Sequence, residues 1–153
     1  MLQRGVVART SRGVYRFARA PRHRLDQFAA ATFWPQGVRA MLSHETALDL
    51  HDLCDVNPGR IDLTVPRGHR VRNRDVPATY RLFTRDLPDG DRTHLEGLPI
   101  VTPVRAILDG IETHVRAGLI RQAIDTLRAR GLLDSPSEER IYRLLYADRT
   151  ATT

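Results

Sequence analysis

Gly97-Leu98-Pro99-Ile100-Val101-Thr102-Pro103-Val104-Arg105-Ala106-Ile107-Leu108-Asp109 reads as a short strand that turns directly into a helix. Leu98, Ile100 and Val101 make an apolar run. Thr102 is a helix-capping residue, and Pro103 stands at the first helical position, where its missing N–H costs no hydrogen bond. Val104, Ile107, Leu108 and Ile111 then fall at i, i+3, i+4 and i+7, one stripe of an amphipathic helix. A strand–cap–helix junction this abrupt, with further short strands before it and helices after it, predicts an α+β domain.

Upstream of the junction, Ser43 precedes a helical stretch over 44–53, with Glu45 in its first turn where the helix dipole favours an acid. Asn57-Pro58-Gly59 makes a turn into an alternating strand over 61–66, with Ile61, Leu63 and Val65 on one face. Residues 79–83 and 93–96 read as further strands, separated by the turn Pro88-Asp89-Gly90-Asp91. Downstream, Leu119, Ile120, Ala123, Ile124 and Leu127 form a second helical stripe, stopped by Gly131. Ser135-Pro136-Ser137-Glu138 reads as a capping box that opens a last helix with Ile141, Leu144 and Leu145 inward. The expected architecture is a small, mostly antiparallel sheet with helices packed on it and a C-terminal helical segment.

The charge is laid out unevenly. Seven arginines (Arg4, Arg9, Arg12, Arg16, Arg19, Arg22 and Arg24) precede the first carboxylate, Asp26. The totals of 24 Lys+Arg and 18 Asp+Glu then leave 17 arginines against 18 acids in residues 25–153. The excess therefore sits in one short arm, an electrostatic footprint for phosphates such as those of double-stranded DNA, with a solvated, disordered basic tail as the alternative reading. Within it Val6, Val7, Val14, Tyr15 and Phe17 are β-formers around Arg9-Thr10-Ser11-Arg12-Gly13, which predicts a hairpin with Arg9 and Arg12 at its tip and Arg16 on its second strand. A helical stretch over 24–34 follows and ends at Trp34-Pro35-Gln36-Gly37. This break divides the chain into an arm with its linker helix, 1–36, and a main body, 37–153. A second basic cluster, Arg67, Arg70, Arg72 and Arg74, follows the 61–66 strand on a loop and is a candidate partner-binding surface. Nearby acids such as Asp62 and Asp75 could instead balance it.

Every basic side chain is arginine, so lysine-dependent phosphate loops, Schiff bases and nuclease carboxylate–lysine sites are excluded. One cysteine, Cys54, excludes an internal disulfide and reads as a small buried thiol. The chain lacks a long apolar run or an apolar leader and reads as cytoplasmic. His44-Glu45 opens like the zinc-protease motif, but Leu48 stands where the second histidine belongs. His51 is seven residues from His44, ~10 Å along a helix and too far to share a metal. Glu45, Asp49 and Asp52 form an acidic face, read as solvated or arginine-paired. Asp109 and Asp125 read as caps or exposed positions. The expectation is a non-enzymatic binding protein with no metal and no cofactor. A degenerate nuclease or metal-dependent hydrolase built on the 44–52 face is the reading from another class, which stoichiometric metal would favour.

The order of the pieces resembles the AbiEi-type antitoxins of bacterial type IV toxin–antitoxin systems, which double as transcriptional regulators. Arg12-Gly13-Val14-Tyr15-Arg16 looks like the end of a winged-helix wing. Residues 42–53 are similar to the family's small-residue helix, and residues 97–109 to its strand, Thr-Pro turn and helix ending in Leu-Asp. The resemblance implies a winged helix that binds promoter DNA beside a C-terminal domain that neutralises a nucleotidyltransferase-type toxin. The sequence begins at what looks like the wing, so the resemblance implies a remnant hairpin, DNA contact weakened by truncation, and the antitoxin body over 37–153. A winged-helix-type regulator without a toxin partner is the alternative.

Overall fold

The computed structural model describes the backbone of residues 8–11, 13–15 and 22–152 and the side chains of 25–147. Its elements are β1 (Ala8–Ser11), β2 (Gly13–Tyr15), α1 (Arg22–Phe33), β3 (Met41–Leu42), α2 (His44–Leu50), β4 (Ile61–Val65), β5 (Tyr80–Thr84), β6 (Arg92–Leu95), β7 (Leu98–Val101), α3 (Pro103–Glu112), α4 (Ala117–Ala129) and α5 (Ser135–Thr152). The chain divides into two compact units between Ala30 and Ala31. Among the described residues no helix is long and apolar enough to cross a membrane.

In the first unit, β1 and β2 form the expected antiparallel hairpin, but its turn lies later than the β-formers suggest. Arg9 pairs with Val14 inside the ladder, so it is a strand residue rather than a tip residue. Arg4, Arg12, Arg16 and Arg19 lie outside the described residues. For Arg9, Arg22 and Arg24 only the backbone is described.

The second unit is α+β, built on a five-stranded sheet in the order β5-β4-β3-β7-β6. The sheet is mixed rather than mostly antiparallel. Pairs β3–β4 and β6–β7 are antiparallel, whereas β3–β7 and β4–β5 are parallel. Adjacent parallel strands need a long return connection, and residues 66–79 between β4 and β5 supply one without an α-helix. Strand β3 was not expected, because two residues carry no periodicity. It is nevertheless the central strand, with Leu42 paired to Leu63 on one side and to Ile100 on the other.

Leu42, Leu63, Val65, Ile100 and Val101 from the sheet are fully buried, together with Leu48, Ile107, Leu127 and Ile141 from the helices. Each such side chain contributes ~1.5–3 kcal/mol through burial. Strand β4 is buried on both faces, since α2 packs on it. Its alternating pattern therefore separates apolar from hydrogen-bonded neighbours, not core from solvent.

Thr102 caps α3 as expected, its hydroxyl accepting from the Arg105 N–H at 3.2 Å. Two other caps differ. The Ser43 hydroxyl accepts from no backbone N–H of α2, and that helix ends at Leu50 instead of continuing to 53. At α5 the capping side chain is Asp134, one residue before the expected box; its carboxylate accepts from the Ser137 N–H at 2.9 Å. Helices α2, α3 and α4 each end with a left-handed residue: Asp52 (φ 55°), His114 (φ 63°) and Gly131 (φ 72°). In each, the next N–H reaches back to the carbonyl five residues earlier, the paired-bond pattern that closes a helix end. Glu96 and Gly97, both at positive φ, join β6 to β7 in a tight two-residue turn.

Candidate partner-binding site

The β4–β5 crossover presents the second arginine cluster. Arg67, Arg70, Arg72 and Arg74 are all exposed. No described residue makes an ion pair or side-chain hydrogen bond with any of the four guanidinium groups. The parallel pairing explains why the loop is long: it leaves the end of β4 and must return to its beginning, ~16 Å away at ~3.3 Å per residue. Backbone bonds give it local order. The His69 N–H reaches the Pro66 carbonyl at 3.0 Å, a 3-10 turn runs over Asn73–Asp75, and the Arg67 N–H donates to the Asp86 carboxylate at 3.0 Å. Trp34 packs edge-on against Tyr80 at 5.8 Å where the loop re-enters the sheet.

Asp62 does not balance this cluster. It is 2 % exposed and faces the start of α2, where its carboxylate accepts from the Glu45 N–H at 3.0 Å. Arg81 binds it from β5 through Nε at 3.0 Å and through a terminal nitrogen at 3.1 Å, and reaches Glu45 at 3.4 Å. Asp62 thus supplies the cap that Ser43 does not, and Glu45 of the acidic face is arginine-paired. Asp75, the other nearby acid, is exposed.

Behind the sheet lies a polar cluster absent from the sequence expectations. Asp109 is buried, not a cap or an exposed position: Arg105 binds it through Nε at 3.0 Å. Arg105 is itself buried and also approaches Asp91 at 3.6 Å and Glu112 at 3.7 Å. Arg140 from α5 clamps Asp91 at 3.2 and 3.3 Å. Asp125, by contrast, is exposed and pairs with Arg128.

Ser43, His44 and Asp109 come together here, with the Ser43 hydroxyl 2.7 Å and the Asp109 carboxylate 3.7 Å from His44 Nδ1. Thr64 donates to Ser43 Oγ at 2.7 Å, leaving the Ser43 proton for Nδ1. Burial first, then the Arg81, Arg105 and Arg85 charges, push the His44 pKa down to about 3. The ring is therefore neutral at pH 7, its approach to Asp109 is not an ion pair, and it stacks on Phe83 with centroids 3.6 Å apart. Burial pushes Asp109 up to about 6 against the opposing pull of Arg105 and Arg85. Ser43 is wholly buried, so this constellation presents no nucleophile to a substrate.

His51 donates from Nε2 to the Val101 carbonyl, 2.8 Å away, and lies beyond the end of α2. Cys54 is buried as expected, and burial pushes its thiol up to about 11. Among the described residues no three His, Cys, Asp or Glu side chains gather as a metal would require. No protein-family model matches the chain, and no curated protein matches its sequence.

Proposed function

We propose that the chain is an antitoxin-like protein of a type IV toxin–antitoxin system, neutralising a nucleotidyltransferase-type toxin through its 37–153 body. The observation that carries this reading is the exposed, internally unpaired quartet Arg67, Arg70, Arg72 and Arg74 on a connection anchored at both ends in the sheet. Loops held by a rigid scaffold are the usual carriers of binding, and unpaired arginines suit an acidic protein face. The two segments that resemble the antitoxin family support the reading further. Residues 42–53 and 97–109 are neighbours in space, joined by the Leu42–Ile100 pairing and the packing of α2 on α3.

The test is growth of cells expressing the neighbouring open reading frame, alone and with this chain. Toxicity relieved by the chain, and no longer relieved by the folded R67E/R70E/R72E/R74E variant, is the expected result. A harmless neighbour or persistent toxicity overturns the antitoxin reading. Relief that survives the four charge reversals removes the loop from it. The second reading, a transcriptional regulator without a toxin partner, is favoured by the β1–β2 hairpin within the arginine-rich arm.

A further inference from the structure

A groove of about 500 Å³ lies between the end of α3, the start of α4 and α5. That volume falls within the ~300–1,000 Å³ typical of small-molecule clefts. Buried Ile111, Ile120 and Ile124 line it, and Leu145 with the rings of Tyr142 and Tyr146 completes an apolar surround. Tyr146 is 61 % exposed.

Among the described residues the charged side chains lining the groove do not cancel. Arg116 and Arg121 line it, both are exposed, and no described carboxylate pairs with either. The lining acid, Asp125, is engaged by Arg128 at 3.3 Å. An apolar body and an anionic head would each meet its complement here.

We propose that this groove binds a small amphipathic carboxylate, its hydrocarbon among the isoleucines and tyrosines and its carboxylate on Arg116 and Arg121. The inference is independent of the antitoxin reading and uses none of the 66–79 loop.

The probe is monomeric decanoate, below its micellar concentration, titrated into the full chain while isoleucine methyl signals are followed by NMR. Saturable shifts at Ile111, Ile120 and Ile124 are expected, with decanol and decyltrimethylammonium binding about tenfold more weakly or less. Because both arginines are exposed, R116Q and R121Q retain the fold, and each should weaken decanoate about tenfold while leaving decanol unchanged. No saturable shift, equal binding of decanol, or indifference to both arginines overturns the proposal. So does self-association that decanoate reverses, since the groove would then belong to a second copy of the chain.

Discussion

His44 and Asp109 are two buried groups whose acidities burial pushes in opposite directions, and the fold's response to pH depends on both. Unfolded, His44 takes up its proton near 6.5; folded, only near about 3. Its contribution is fully present above pH 6.5 and is lost as the pH falls toward 3, at ~1.4 kcal/mol per pH unit. Asp109 does the reverse. The folded state binds its proton near about 6 and the unfolded chain only near 3.8. Ionising it therefore costs stability above pH 6, and acidification toward 3.8 relieves that cost. Over the shared window the two slopes oppose, so the wild type should show little change from these groups between pH 6 and 5. D109N should unmask the histidine and lose about 2 kcal/mol between pH 6.5 and 5. H44N should unmask the aspartate and gain about 1 kcal/mol between pH 6 and 5; asparagine is chosen because it tolerates the left-handed backbone (φ 54°) found there. Urea unfolding at stepped pH measures both. Parallel slopes in the two variants would refute the assignment.

Elements respond through their ends and their closest approaches. A Cβ placed on Gly131 meets nothing within 4 Å, so G131A isolates the backbone cost of its left-handed turn, about 1 kcal/mol. Gly110 is the contrary case. A Cβ there would lie 3.1 Å from Ile120 Cδ1 and 3.2 Å from Leu48 Cδ1, so α3 is held close to both α2 and α4 by the missing side chain. G110V should cost about 1–3 kcal/mol by overpacking. Thermal unfolding of the two variants distinguishes these causes, and an unchanged melting point for G110V would mean that the helices separate freely. The same contrast marks what the sequence reveals. The Thr102 cap, the α3 and α4 stripes and the Gly131 stop are local signals, and each is found where its residues predict. Strand direction is not local. Nothing within 61–66 or 79–83 tells that β4 and β5 run parallel, because the choice is made by the two-residue strand β3 and by where the crossover lands. The candidate site divides in the same way. Four arginines in eight residues announce an exposed basic loop. Arg105 and Asp109, spaced i, i+4, look like an ordinary surface pair, and only the arrival of Asp91 and Arg140 from elsewhere in the chain buries them.

At the scale of the molecule, two arginine sets differ in setting and therefore in expected partner. The seven in the first 24 residues carry the whole positive excess, while residues 25–153 hold 17 arginines against 18 acids. A phosphate backbone is contacted by local excess charge, and each neutralised phosphate contributes about −0.9 to the slope of log affinity against log salt. If the arm alone meets DNA, seven contacts give a slope of roughly −6. The R67Q/R70Q/R72Q/R74Q variant decides whether the loop belongs to the same surface. A loop that faces a protein leaves the DNA slope unchanged, whereas one that lies on phosphates reduces its magnitude by about 3 to 4. Salt titrations of a short duplex against both proteins read this directly. An unchanged slope removes the crossover from the DNA contact and leaves it free for an acidic protein. A reduced slope merges the two sets into one DNA-binding surface and favours the regulator over the antitoxin.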